Sequence, residues 1–165
     1  MDKKIIVESV DDKNKIVIVR DLAHEIWTQH YTPIIGQEQV VYMLDKYQSI
    51  ESITQNLRDG YIYSVVYYDK TPCGYCAIKP DNGIFLSKFY VKEVYRGMGL
   101  GKALLEFVYS YAEKSCENRM WLTCNKYNSK SLAAYQKLGF SIIDKVVTDI
   151  GGGFVMDDYI LEKKL

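Results

Sequence analysis

The segment that most constrains this chain is Phe89-Tyr90-Val91-Lys92-Glu93-Val94-Tyr95-Arg96-Gly97-Met98-Gly99-Leu100-Gly101-Lys102. It reads as a strand, a glycine-rich bend and the first turn of a helix. The leading N–H groups of a helix have no internal acceptor and carry a partial positive charge. Glycines let the backbone close around a ligand with no Cβ in the way. Such a bend cradles an anion, a pyrophosphate being the natural guest, and Arg96 and Lys102 bring formal charge beside it.

Two phosphate-binding patterns fail here on single positions. A dinucleotide loop, GxGxxG, needs a third glycine where Lys102 stands after Gly97 and Gly99. A nucleoside-triphosphate loop, GxxxxGK[ST], meets Arg96 instead of its first glycine and Ala103 instead of its magnesium-ligating hydroxyl. The spacing present is R-x-x-G-x-G, formed by Arg96, Gly99 and Gly101. A glycine-rich turn that holds nothing stays open on this segment alone.

The surrounding pattern is one α/β domain over residues 1–165, with no repeat, low-complexity tract or linker dividing it. Lys4 to Val10 reads as a strand, followed by a helix capped by Ser9 or Asp11 with Ile16, Val19, Leu22, Ala23, Ile26 and Trp27 on one stripe. Gly36 opens a second helix with Val40, Val41, Leu44 and Tyr47 inward, and residues 50–57 suit a third. Three strands, 61–68, 73–79 and 84–92, then form an antiparallel meander. Beyond the bend come a helix over 102–117, a strand over 120–125, a short helix over 129–138 and two strands, 140–148 and 154–162, joined by Gly151-Gly152-Gly153. Gly139 stands where a helix ends with positive φ. A strand–helix–strand crossover runs parallel and right-handed, so the expectation is a mixed sheet of about seven strands flanked by about four helices.

Twenty-one acidic residues balance twenty-one basic ones, so no overall field draws the chain to nucleic acid or an anionic membrane. No apolar run approaches the ~20 residues of a membrane span. Met1-Asp2-Lys3-Lys4 leads into only three apolar residues, which is not a signal peptide. A cytoplasmic protein is the expectation. Cys73-Gly74-Tyr75-Cys76 has redox spacing, but a redox pair activates its first thiol at a helix N-terminus, and here the pair sits in a strand ending at Pro80. Strand cysteines are the favoured reading, with a redox or metal role as the alternative. Cys116, Cys124, His24 and His30 supply no second zinc-ligand pair, so no metal is expected.

A second motif lies downstream. Asn128, Ser131, Tyr135, Lys137, Gly139 and Phe140 fall in the order N-x-x-[AS]-x-x-x-Y-x-[KR]-x-G-F. Together with Arg96, Gly99 and Gly101, they make the chain resemble the GCN5-related N-acetyltransferase (GNAT) family. The likeness runs over about residues 4–163 and is strongest from 84 to 140. It implies a single GNAT-like domain, an enzyme that moves the acetyl group of acetyl-CoA directly to an amine, and a parallel strand pair that splays at the cofactor site.

By that resemblance the pyrophosphate rests on Arg96, Gly97, Met98, Gly99, Leu100, Gly101 and Lys102. The pantetheine arm runs beside Tyr90 and Val91 like a surrogate strand. The Val91 N–H donates to the thioester carbonyl, and the Tyr135 hydroxyl protonates the leaving thiolate. Asn128 hydrogen-bonds the pantetheine or only caps its helix. Ser131 touches the cofactor or solvent, and Lys137 meets the 3′-phosphate or is a plain surface lysine. No single general base stands out among Glu25, His30, Glu93 and Asp157.

Acceptor choice is implied to come from residues 24–31 and 151–159, where aromatics and carboxylates could frame a small cationic amine such as a polyamine. Trp27 and Tyr31 equally suit a core or an interface, and Asp157 and Asp158 a solvated strand end. A protein lysine or N-terminal acceptor and a non-catalytic acyl-CoA-binding regulator are the alternatives. Family habit adds a homodimer through the C-terminal strands.

Overall fold

The computed structural model describes residues 4–165. Met1, Asp2 and Lys3, which enter the signal-peptide reading, lie outside the described residues. The elements follow as β1 (Ile5–Ser9), α1 (Lys13–Ile35), α2 (Gln37–Tyr47), α3 (Ile50–Arg58), β2 (Ile62–Tyr68), β3 (Thr71–Pro80) and β4 (Ile84–Val91). After a 3-10 turn at Glu93–Tyr95 come α4 (Leu100–Lys114), β5 (Arg119–Asn125), α5 (Ser129–Lys137), β6 (Ser141–Gly151) and β7 (Phe154–Lys164). The strands form one seven-stranded sheet in the order β1-β2-β3-β4-β5-β7-β6. Every pairing is antiparallel except β4 with β5, which α4 connects. The mixed sheet of seven strands expected from the sequence is therefore present, flanked by five α-helices among the described residues.

Two cores clothe the two faces. Under α1, α2 and α3 lie Val19, Leu22, Ile26, Val40, Leu44 and Ile53 against Tyr63, Val65, Tyr75 and Ala77. On the other face Leu100, Leu104, Val108 and Ala112 of α4 pack on Val66, Cys76, Ile78, Leu86 and Leu122. Helical stripes of period about 3.6 meeting strand faces of period about 2 account for both layers.

Several local expectations shift. The α1 cap is Asp12, whose carboxylate accepts the Lys15 N–H at 2.8 Å, rather than Ser9 or Asp11. The reason is that Val10 is still tied to the sheet through its N–H to the Tyr63 carbonyl at 2.9 Å, so helical turning cannot begin earlier. Val41 is 58% exposed, because the inward seam of α2 runs Val40, Met43 and Leu44, and one step turns a helical side chain away by about 100°. α4 begins at Leu100, so Gly101 belongs to its first turn. Between β2 and β3 only Asp69 and Lys70 turn, both with positive φ. That is the two-residue hairpin whose twist matches its strands.

The cysteine pair lies on β3. Register slips around Cys73, which is an extra residue opposite β2, and both thiols then join the α4-side core. Burial raises the Cys73 thiol and pushes the Cys76 thiol up to about 12, the opposite of an activated thiolate.

β3 and β4 approach closely at Gly74, where a Cβ would stand 2.4 Å from the Tyr90 carbonyl oxygen. That oxygen is backbone and cannot swing aside. Gly74→Ala is expected to destabilise the protein by about 2 kcal/mol or more, read as a lower denaturation midpoint in urea. An unchanged midpoint would show that the two strands are free to part here.

Candidate active site

β4 and β5 start as neighbours and then part. Their pairing is confined to Ile84 with Met120 and Phe85 with Trp121, where the two aromatic rings stack at 4.3 Å. Beyond it β4 continues to Val91 and β5 to Asn125 with no bonds between them. β4 instead stays with β3 and carries a bulge at Ser87, since Ala77 faces Lys88 while Ile78 faces Leu86. The wedge opens into a cavity of about 790 Å³ that reaches both faces of the sheet.

Strand alternation decides which backbone groups look into the wedge. The Lys92 N–H donates to the Cys73 carbonyl at 2.8 Å and so points to β3. The Val91 N–H and C=O must then point the other way, toward the gap left by β5. The Arg96 side chain donates to that Val91 carbonyl at 3.2 Å, which leaves the neighbouring N–H facing the cavity.

At the cavity mouth the bend is open. Gly97 and Gly99 have φ of 79° and 85°, and a Cβ at Gly97 would meet nothing within 4 Å. α4 has no side-chain cap. Its first internal bond runs from the Ala103 N–H to the Gly99 carbonyl at 3.1 Å, so the amides of Leu100, Gly101 and Lys102 precede any helical acceptor. An anion cradle is therefore built from backbone, with Arg96 and Lys102 exposed beside it. These features fit a pyrophosphate-bearing co-substrate whose arm enters the wedge.

Of the residues expected at the site, Tyr90, Val91, Arg96, Gly97, Gly99, Leu100, Gly101, Lys102, Asn128, Ser131 and Tyr135 line this one cavity. Met98 and Lys137 are exposed and stand off it. Asn128 is 3% exposed and does cap α5, accepting the Ser131 N–H at 3.4 Å. The Tyr135 ring lies 6.4 Å from Phe89 and 5.7 Å from Phe140. Burial drives its hydroxyl far above the ordinary phenol value, so it keeps its proton throughout the working range.

Among the candidate bases, Glu25 is paired with Lys92 at 2.8 Å and Asp157 with Lys126 at 2.7 Å. Neither lines the cavity, nor does Glu93. His30 does line it, and burial together with the Arg96 charge lowers its pKa. The carboxylate left out of the candidate bases, and weighed from the sequence only as part of the acceptor segment or a solvated strand end, is Asp158. It is 5% exposed, opposite Asn125 on β5, and faces the cavity. Burial first, then the Asp157 charge, raises it from 3.8 to about 6. Its signal was parity: Met156 and Phe154 lie two and four residues back on the same inward face, whereas Asp157 faces the other way.

Across the wedge from Tyr135 the wall is aromatic. Trp27 packs edge-on against Tyr31 and Tyr90, and the Tyr31 and Tyr90 hydroxyls meet at 3.0 Å. α2 and the β6–β7 hairpin close the far side, with the Tyr42 hydroxyl donating to the Ile150 carbonyl at 2.8 Å and the Gln39 amide to the Val155 carbonyl at 2.9 Å. Among the described residues no three His, Cys, Asp or Glu side chains gather as a metal site. Among them, too, no helix is long and apolar enough to cross a membrane.

Comparison with known proteins adds the family. The model of the acetyltransferase (GNAT) family matches residues 19–140, well over half of the chain. The fold is similar to the PaiA N-acetyltransferase of Thermoplasma acidophilum in complex with coenzyme A, at TM-score 0.82 and 23% identity over 98% of this chain and 99% of that one. A GCN5-related N-acetyltransferase from Rhodopseudomonas palustris gives 0.82 and 13% over 100% and 99%. The ribosomal-protein-S18-alanine N-acetyltransferase of Escherichia coli gives 0.72 and 16% over 98% and 94%. On the strength of the family match, the chain belongs to the acetyltransferase (GNAT) family and is an N-acetyltransferase with acetyl-CoA as its co-substrate.

Proposed function

We propose that the protein acetylates a small-molecule amine in the cytoplasm, and that the parting of β4 from β5 between the glycine bend and the aromatic wall carries this reading. Acetyl-CoA lays its pyrophosphate on the amides from Gly97 to Lys102, assisted by the Arg96 and Lys102 charges, with Met98 contributing backbone only. Its arm passes Asn128 and Ser131, runs beside Tyr90 and pairs with the free edge of β4 through the Val91 main chain. Lys137, off the cavity, serves at most the cofactor's outer phosphate.

The acceptor approaches from the α1–α2 side. Asp158 takes the proton of the incoming ammonium, since only the neutral amine has a lone pair. The N–C bond forms as the C–S bond breaks, the Val91 N–H stabilises negative charge on the carbonyl oxygen, and Tyr135 gives its proton to the departing sulfur. The closed far side, pinned at Ile150 and Val155 by α2, supports a small acceptor over a protein segment, which would need an open groove. Polyamines and amino-acid-like amines are the two classes that such a space can take. Exposed Ile142, Ile143 and Val147 on the edge strand β6 support pairing with a second copy.

The direct test is coenzyme A release over a panel of polyamines, amino acids and peptides, with product masses confirmed; release with peptides alone would sink the small-molecule reading. Tyr135→Phe is expected to lower kcat by about 10²- to 10⁴-fold while acetyl-CoA affinity stays nearly the same. Unchanged turnover at saturating substrates would remove Tyr135 from the chemistry.

Asp158 generates a pH prediction with two readouts. Activity (kcat/KM) should fall as pH drops through about 6, where the carboxylate gains its proton, and Asp158→Asn should erase that limb. Stability runs the other way. Because the folded value of about 6 exceeds the ordinary 3.8, Asp158 costs stability above about pH 6, and the cost vanishes below about pH 4. Asp158→Asn should therefore raise the melting temperature at pH 8 and not at pH 4.

A further inference from the structure

The acceptor side of the cavity holds a lysine that no other side chain neutralises. Lys88 lines the cavity from β4, opposite Ala77 and on the same face as Tyr90. Its ammonium donates to the Ser87 hydroxyl at 3.1 Å and stands 6.0 Å from the centre of the Tyr63 ring. Among the described residues no carboxylate pairs with it. Burial alone draws its pKa down to about 8, so it remains a cation at neutral pH. A desolvated charge is costly unless something of opposite sign meets it.

A second unsatisfied donor lies in the wall of the same cavity. Gln48, at the end of α2, is 0% exposed and lines the cavity, and its Nε2 has no acceptor. The Gln48 carbonyl takes the Tyr75 hydroxyl at 3.4 Å, and Tyr75 neighbours Tyr63, the ring under Lys88. A buried amide donor left unsatisfied is rare in a folded protein and calls for a partner. The remaining nitrogens of a polyamine are protonated at neutral pH and offer neither group an acceptor atom, and such an ammonium would be repelled by Lys88.

The geometry points to an acceptor that carries a carboxylate as well as its amine, the carboxylate seated on Lys88 Nζ and Gln48 Nε2 and the amine directed toward Asp158. This rests on the small-amine reading above and narrows it to amino-acid-like molecules over polyamines. Charge-assisted bonds to a carboxylate supply both affinity and direction, so that the amine is presented to the thioester by its own tail.

The test uses three acceptors of one chain length: an ω-amino acid, its amide and the matching diamine, each assayed for coenzyme A release with product masses. The wild-type protein should favour the amino acid in kcat/KM. Lys88→Met should cut the ratio of amino acid to diamine by about 10- to 100-fold, and Gln48→Leu by less. Lys88→Arg should retain most of the preference. Folding of each variant is checked by its acetyl-CoA-induced rise in melting temperature. Equal use of the amide and the amino acid, or a ratio unmoved in Lys88→Met, overturns the inference. Turnover of the diamine without the amino acid overturns it too, while leaving acetyl transfer to small amines intact. If no acceptor turns over, melting of the coenzyme-A-loaded protein with the amino acid decides: a rise in the wild type that is absent in Lys88→Met supports the inference, and any other result overturns it.

Discussion

Two parallel strands that bond at only one end impose most of what this molecule does. β4 and β5 share two residue pairs and then diverge, which strips several main-chain groups of each strand of their partners in the middle of a sheet. Such groups cannot be buried dry without cost. The sheet tolerates the gap because β4 stays paired with β3 along its length apart from the bulge at Ser87, and β5 keeps its full ladder to β7. What remains is an edge inside the protein, ready to bond to a ligand that has amides of its own, and the glycine bend lies directly after that edge in the chain. Position along the sequence thus brings the Val91 N–H, the proposed oxyanion donor, and the bend from Gly97 onward, the proposed phosphate cradle, within a few residues of each other.

Parts of this were legible in the sequence, and the boundary is physical. The glycine bend and the run from Asn128 to Phe140 are local: each is one element and its cap, so residue type and spacing carry the information. The meander and the crossover follow from hydrophobic period and turn residues. Lys88 illustrates what spacing cannot carry. Plain alternation from Ile84 and Leu86 would set Lys88 with them against α4; the extra residue Ser87 reverses the parity and turns the lysine toward α1 and α2. A bulge of one residue leaves no mark on composition. Asp158 was not told apart from Asp157 for a related reason, since two adjacent aspartates look alike until the face is known. The partner of Gln48, a tyrosine on β3, is a tertiary fact and had no local signal at all.

The electrostatic layout of the cavity separates two tasks. Around the middle of the cavity stand groups held in their neutral or readily neutralised forms: Tyr135 and Tyr31 are kept protonated by burial, and the Asp158 carboxyl is pushed up to about 6. Formal cations sit at the extremities, with Arg96 and Lys102 at the mouth and Lys88 on the acceptor side. Charges at the extremities orient anions without pulling protons from the reacting atoms. Burial therefore tunes reactivity at the centre, and Coulomb attraction aligns ligands at either end.

The cavity passes through the plane of the sheet, and its two halves open under different helices: α4 and α5 on one side, α1 and α2 on the other. A donor threaded from the first face does not cross the path of an acceptor arriving on the second. Both can therefore occupy the protein at once, and each can leave by the doorway it used. In kinetic language, this architecture is suited to a ternary complex with no covalent acetyl-protein stage, in which used coenzyme and acetylated product depart without waiting for one another.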